Sequence, residues 1–255
     1  MASTPKNKSN DQDITANPMT SKEIKELRRV HERLCNFSDK IAIQEQINSI
    51  KQAQHERNEN AISVLKSQEN DEIVASENNL IKQLENDLQI IVARGEHYIR
   101  PQDMQAAFRF LAKKKISKKE SIEMVWEVDE KLDGVVDWEE FLLMFERNIR
   151  DTSGLEPASM HHFVQFLIYD ENENGFVSID EVMDMLYSRY GRESMEKWIC
   201  LLFGSNDGVT PVKEIGTEGG EIDFLKYFDV VENERRKMFW ESEYGQLILQ
   251  KKKKK

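Results

Sequence analysis

Residues 170–181 read Asp-Glu-Asn-Glu-Asn-Gly-Phe-Val-Ser-Ile-Asp-Glu, and their oxygen atoms are spaced to wrap a hard divalent cation. Calcium takes six to eight oxygens, and a 12-residue loop delivers them from positions 1, 3, 5, 7, 9 and 12. Here those positions are Asp170, Asn172, Asn174, the backbone carbonyl of Phe176, Ser178 acting through a water, and Glu181. Gly175 holds position 6, where the chain must turn sharply and a side chain would be strained. Glu181 can close the coordination sphere with both carboxylate oxygens. Only Asp170 and Glu181 bring charge, so the expected Kd is about 10⁻⁶ to 10⁻⁵ M rather than nanomolar.

A second loop, Asp129 to Glu140, repeats the spacing. Asp129, Asp133, the carbonyl of Val135, Asp137 and Glu140 stand at ligand positions, with Gly134 at the turn. Position 3 is Lys131, which donates hydrogen bonds and carries positive charge into the place a cation would take. The loop is expected to fold in the same way. Its calcium occupancy stays open, since the lysine can swing out and leave its place to a water.

Such loops need a helix on each side. Phe163, Phe166 and Leu167 precede Asp170 at helical spacing, and Val182, Met185 and Leu186 follow Glu181. Ser117 and Glu120 form a capping box ahead of Ile122, Val125 and Trp126. The residue at position 8 pairs one loop with another through a short strand: Val136 and Val177 here. Ile99 and Ile222 stand in the same role, which gives a repeat of roughly 40 residues. Around those two the ligands are missing. Arg100 and Asp103 occupy positions 9 and 12 of the first unit, and Lys226 occupies position 12 of the last, behind the long Gly204–Gly220 stretch. Both are expected to be kept for packing.

Residues 80–232 resemble the calmodulin and troponin C superfamily of EF-hand proteins. The resemblance implies an all-α fold of four EF-hand-like helix–loop–helix units in two pairs, 80–150 and 151–232, with Ca2+ as the ligand. More narrowly, Trp126-Glu127-Val128-Asp129, Asp137-Trp138-Glu139-Glu140-Phe141, Gly154-Leu155-Glu156-Pro157 and the run Met185 to Gly191 are similar to EF-hand proteins of ciliary and flagellar axonemes. That likeness implies a non-enzymatic structural or regulatory subunit of a cytoskeletal assembly. Its partners would be tubulin or dynein-associated proteins, and its place the cytoplasm or the axoneme. A free calcium sensor that binds target helices, or a regulatory subunit of an enzyme such as a phosphatase, are the alternatives.

The rest of the chain is consistent with a protein-binding role. Residues 1–20 are polar and read as a disordered tail. Residues 21–79 read as a helical, coiled-coil-like arm, and no proline or glycine occurs from Ser21 to Ala93. Ile24, Leu27, Leu34 and Ile41 mark an apolar stripe, and Ile81, Leu84, Leu88 and Ile91 mark a seam. The polar stretch Lys51–Asn60 interrupts it, so the arm is two helices or one with a solvated waist. It cannot bury itself and is expected to need a partner. Residues 233–255 extend the last helix, with Phe239, Trp240 and Tyr244, into five lysines at 251–255. Those lysines suit acidic tubulin tails, anionic lipid or RNA, or are a solvated end.

Net charge is −11, which disfavours nucleic acid as the main partner. Cys35 and Cys200 give no disulfide framework, and Cys200 is expected in a core. The first residues lack the apolar stretch of a secretory signal, and no apolar run spans a bilayer. No nucleophile with a base and no phosphate loop is present, so neither an enzymatic role nor a small-molecule substrate is expected. His161 and His162 are expected on a helix surface. The methionines at 104, 124, 144, 160, 183, 185 and 195 fit a target groove and a core equally well.

Overall fold

The computed structural model describes residues 19–61, 68–93, 97–204 and 220–253. Residues 1–18, Gly95, residues 205–219 of the glycine-rich stretch and Lys254–Lys255 lie outside it. The architecture is all-α, with ten helices among the described residues. Helix α1 (Ser21–Leu34) starts at Thr20, whose hydroxyl accepts the Glu23 N–H while the Glu23 carboxylate accepts the Thr20 N–H. It stops at Cys35 and Asn36. Asn36 adopts φ 54°, a left-handed turn that asparagine tolerates.

Helix α2 (Phe37–Ala61) and helix α3 (Gln68–Ala93) run antiparallel. Lys51 meets Glu85, Gln54 bonds Asn78 and Arg57 bonds Glu77, so α2 numbers rise as α3 numbers fall. Ile47 and Ile81 are buried in this hairpin, and Leu84, Leu88 and Ile91 continue its seam half-buried. After it come α4 (Pro101–Phe110), α5 (Lys118–Trp126), α6 (Trp138–Arg150) and α7 (Ser159–Tyr169). Strand β1 (Phe176–Ser178) leads into α8 (Ile179–Phe203), which bends at Gly191 (φ 70°). Strand β2 (Glu221–Asp223), α9 (Phe224–Glu241) and α10 (Glu243–Lys253) complete the chain. Ser117 with Glu120, Asp137 with Glu140 and Ser178 with Glu181 cap α5, α6 and α8 by reciprocal side-chain bonds.

The strand pairing is minimal. Val177 lies opposite Ile222 in the antiparallel β1–β2 ladder, and Ile99 bridges Val136 through N–H···O bonds of 2.8 and 2.9 Å.

Helix α7 is mostly apolar, is buried on nearly every side and sits at the centre. Phe163 stacks on Phe108 of α4 with centroids 4.1 Å apart and meets Phe224 of α9 edge-on. A single core therefore runs through α4 to α9. The segment between α6 and α7 is tied down as well: Arg235 of α9 donates to the Gly154 carbonyl at 2.7 Å. A Cβ on Gly154, which has φ 69°, would lie 2.7 Å from the Arg235 carbonyl oxygen.

Several expectations are corrected. Helix α1 is not part of a projecting arm: Leu27, Val30 and Leu34 are fully buried against α4, α6 and α7. Burying each contributes roughly 1.5–3 kcal/mol, so the stripe finds its partner within the same chain. The polar tail does not extend to residue 20, because Met19 is buried and Thr20 caps α1. Residues 79 and 80 mark no boundary, as α3 runs through them. The arm region forms three helices, and its seam closes on α2. His162 is 8% exposed, and His161 is enclosed at both ring nitrogens, because α7 is central. Cys200 is exposed, on the outer side of α8. Met104, Met124, Met144, Met160 and Met185 are buried core residues. Among the described residues, no helix is long and apolar enough to cross a membrane.

Candidate metal centre

Both loops take the same backbone path. Glu173 and Leu132 at position 4 have φ 62° and 59°, and Gly175 and Gly134 at position 6 both have φ 84°. Only glycine takes the latter without strain. The first carboxylate organises each turn. Asp170 accepts the N–H groups of Asn174 (3.0 Å) and Gly175 (3.1 Å), and Asp129 accepts those of Asp133 (3.2 Å) and Gly134 (2.7 Å). Asn172 and Asn174 accept the N–H groups of Asn174 and Phe176, so their amide oxygens turn into the loop.

The loops differ at their last carboxylate. Glu140 is fully engaged: Oε1 accepts the Lys131 N–H at 3.0 Å and Oε2 the Asp137 N–H at 3.1 Å. Glu181 is engaged on one side only. Its Oε2 accepts from Ser178 N–H and Oγ, both at 2.8 Å, while Oε1 is buried with no hydrogen-bond partner. An unmatched buried carboxylate oxygen costs desolvation unless a cation or donor meets it. Asp170 lies within reach of the Glu181 charge. Burial, with the Glu181 charge adding to it, pushes the Asp170 carboxyl up from its ordinary range, against the loop N–H groups and Arg33.

Lys131 does not swing away from its loop. Its ammonium pairs with Asp137 at position 9 and reaches Glu139 at 3.5 Å. The hydrogen bond to Asp137 raises the lysine's pKa and so keeps it charged. The loop Asp129–Glu140 thus carries a cation of its own.

The ligand-poor first unit does the same more completely. Asp103, wholly buried, accepts from Arg100 N–H and Nε at 2.9 Å and from Arg100 Nη2 at 3.1 Å. It also accepts from Ser38 N–H at 2.9 Å and Ser38 Oγ at 2.8 Å, which fixes the start of α2. Asp39 of α2 adds a 2.7 Å contact to Arg100 and, with Asp103, holds the guanidinium pKa above its ordinary value. In the last unit Asp223 caps α9 by accepting the Lys226 N–H, and the Lys226 side chain is exposed.

Two residues at the centre escaped the sequence reading. Arg29 and Arg33 of α1 reach Glu173 in the loop at 3.7 and 3.2 Å, and Arg29 also donates to the Leu167 carbonyl at the end of α7. Their spacing of four on one face was visible, but no local signal says what that face meets. Among the described residues, no three His, Cys, Asp or Glu side chains gather as a metal cluster. The ligand set of Asp170–Glu181 is instead mostly amide, hydroxyl and backbone oxygen. Residues 98–148 match a family model described as an EF-hand domain pair. That span holds the Ile99–Val136 bridge and the loop with Lys131.

Proposed function

We propose that this chain, whose residues 98–148 place it with the EF-hand superfamily, is a non-enzymatic, calcium-responsive subunit of a cytoskeletal assembly with one working loop. In this reading four hands form two pairs. Asp170, Asn172, Asn174, the Phe176 carbonyl, Ser178 and Glu181 hold Ca2+, and the other hands are structural. The observation that carries it is the unmatched, buried Oε1 of Glu181, beside loops whose acids are already occupied by Lys131 and Arg100. Calcium there would supply charge to join the two ends of the loop. The chain's own residues orient the oxygens, exclude water behind Val177 and hold α8 at its start.

The cytoskeletal assignment rests on the axonemal resemblance and on the α2–α3 hairpin, whose Ile73, Leu80, Ile90 and Val92 are exposed as a partner surface would require. Calorimetric calcium titration of the wild type beside Glu181→Gln tests the loop. Binding near 10⁻⁶ to 10⁻⁵ M that weakens at least tenfold in the variant supports it. Identical isotherms would overturn it. Retention of the protein in a detergent-extracted cytoskeletal pellet tests the assembly, and a freely soluble protein would favour a sensor.

A further inference from the structure

The end of the described chain carries apolar surface that nothing among the described residues covers. Helix α10 turns back on α9 through Ser242, whose hydroxyl donates to the Phe239 carbonyl at 2.6 Å. Gly245 permits the close crossing, since a Cβ there would lie 2.3 Å from that same oxygen. Gln246 completes the joint by donating to the Trp240 carbonyl at 2.7 Å. At this joint Trp240 of α9 and Leu249 of α10 line one groove, and Tyr244, Leu247 and Ile248 are exposed around α10. These side chains are 37–61% exposed. Five lysines, 251–255, follow directly on a chain whose net charge is −11.

We propose that α10 with Trp240 docks the protein on an anionic lipid surface. The two halves of the feature require this partner together. Lysines alone would serve an acidic polypeptide or a nucleic acid equally well, but here they adjoin exposed Trp, Tyr and aliphatic side chains, the combination found at the boundary between headgroups and hydrocarbon. A membrane interface takes both: aliphatic groups and the amphipathic rings of Trp and Tyr at the headgroup boundary, and ammonium groups on anionic headgroups. Helix α10 is 11 residues long and so lies in the interface rather than across the bilayer. Its one acidic residue, Glu243, sits at the turn, away from the lysines, so the basic end is the end that approaches.

The test is sedimentation of the full chain with vesicles of phosphatidylcholine alone or with about one third phosphatidylserine, in chelator so that calcium cannot bridge. Sedimentation with the anionic vesicles only, weakened at least tenfold by Leu247→Glu with Leu249→Glu and separately by replacing the five lysines with alanine, supports the proposal. A blue shift of tryptophan fluorescence on binding that is lost in Trp240→Phe supports it too. Unchanged thermal unfolding of these variants excludes loss of fold. No sedimentation at low salt overturns the proposal. So does full binding by the leucine variant, or competition by polyglutamate that the leucine variant resists no less than the wild type, which would assign the lysines to an acidic polypeptide.

Discussion

Arg33 of α1 lies 3.2 Å from Glu173, the fourth residue of the loop Asp170–Glu181, so the N-terminal helix is electrostatically joined to the candidate calcium loop. A divalent cation placed in that loop meets the guanidinium groups of Arg29 and Arg33 as like charges. The coupling is reciprocal by thermodynamic necessity. Replacing both arginines with glutamine is expected to tighten calcium binding by roughly fivefold, about 1 kcal/mol for charges a few ångströms apart near water. Because Glu173 is half exposed, the gain shrinks with added salt. Calcium should in turn speed amide exchange in α1 of the wild type. Equal affinities for the two proteins at low salt would refute the link.

Lys131 holds the place of a ligand and pairs with Asp137. Lys131→Asp removes the built-in cation and supplies an oxygen at position 3. Calcium titration of this variant is expected to show a second binding event absent from the wild type. An unchanged stoichiometry would mean that Glu140, satisfied by two backbone N–H groups, and not the lysine, closes the loop.

Asp103 binds Arg100 and Ser38 with no exposure to solvent. Asp103→Asn leaves the guanidinium without its buried partner and loosens the start of α2. We expect a loss of about 2–4 kcal/mol in urea unfolding, at the lower side of the roughly 3–5 kcal/mol for breaking a buried pair because Arg100 is partly exposed and keeps Asp39. A loss below about 1 kcal/mol would place the pair among exposed ones.

Leu27 is fully buried although it belongs to a stretch that reads as an arm. Leu27→Ala should cost about 3 kcal/mol and move the whole unfolding transition. If only a separate, minor transition moved, α1 would be an appendage after all.

The pKa of His162 is lowered to about 4 by burial, against the pull of Glu232 at 3.7 Å from its Nε2, which raises it. A histidine whose folded value lies below the ordinary 6.5 leaves stability whole above 6.5 and withdraws it as pH falls toward 4. The slope in that window is about 1.4 kcal/mol per pH unit for one such group. His31 and His161 are depressed in the same direction by burial. Urea midpoints at about pH 7 and about pH 5 should therefore differ less in His162→Gln than in the wild type. Equal differences would show that His162 takes up its proton alike in the folded and unfolded chain.

Local chemistry made parts of this molecule legible in advance. The Ser117–Glu120 box, the glycine turns and the residues Ile99, Val136, Val177 and Ile222 act over a few residues, and the structure pairs the last four two by two. What stayed hidden depends on distant packing. The stripe Ile24, Leu27, Leu34 and Ile41 announces an apolar face without saying that α7 covers it. His161 and His162 look like surface residues until α7 is seen to be enclosed on nearly every side, and Cys200 looks like core until the outer side of α8 is known. Arg29 and Arg33 meet Glu173 across some 140 residues of chain, as does Arg29 with the Leu167 carbonyl 138 residues away, and no periodicity encodes that.

The Gly154–Arg235 tie and the Phe108–Phe163 stack leave the molecule without slack between its halves. A flexible tether would let the two ends of the core move independently; this junction holds them as one packed body. The hand that carries Lys131 is then not idle. Through Val136 and Phe141 it is packed into the same core that holds Val177 of the loop Asp170–Glu181.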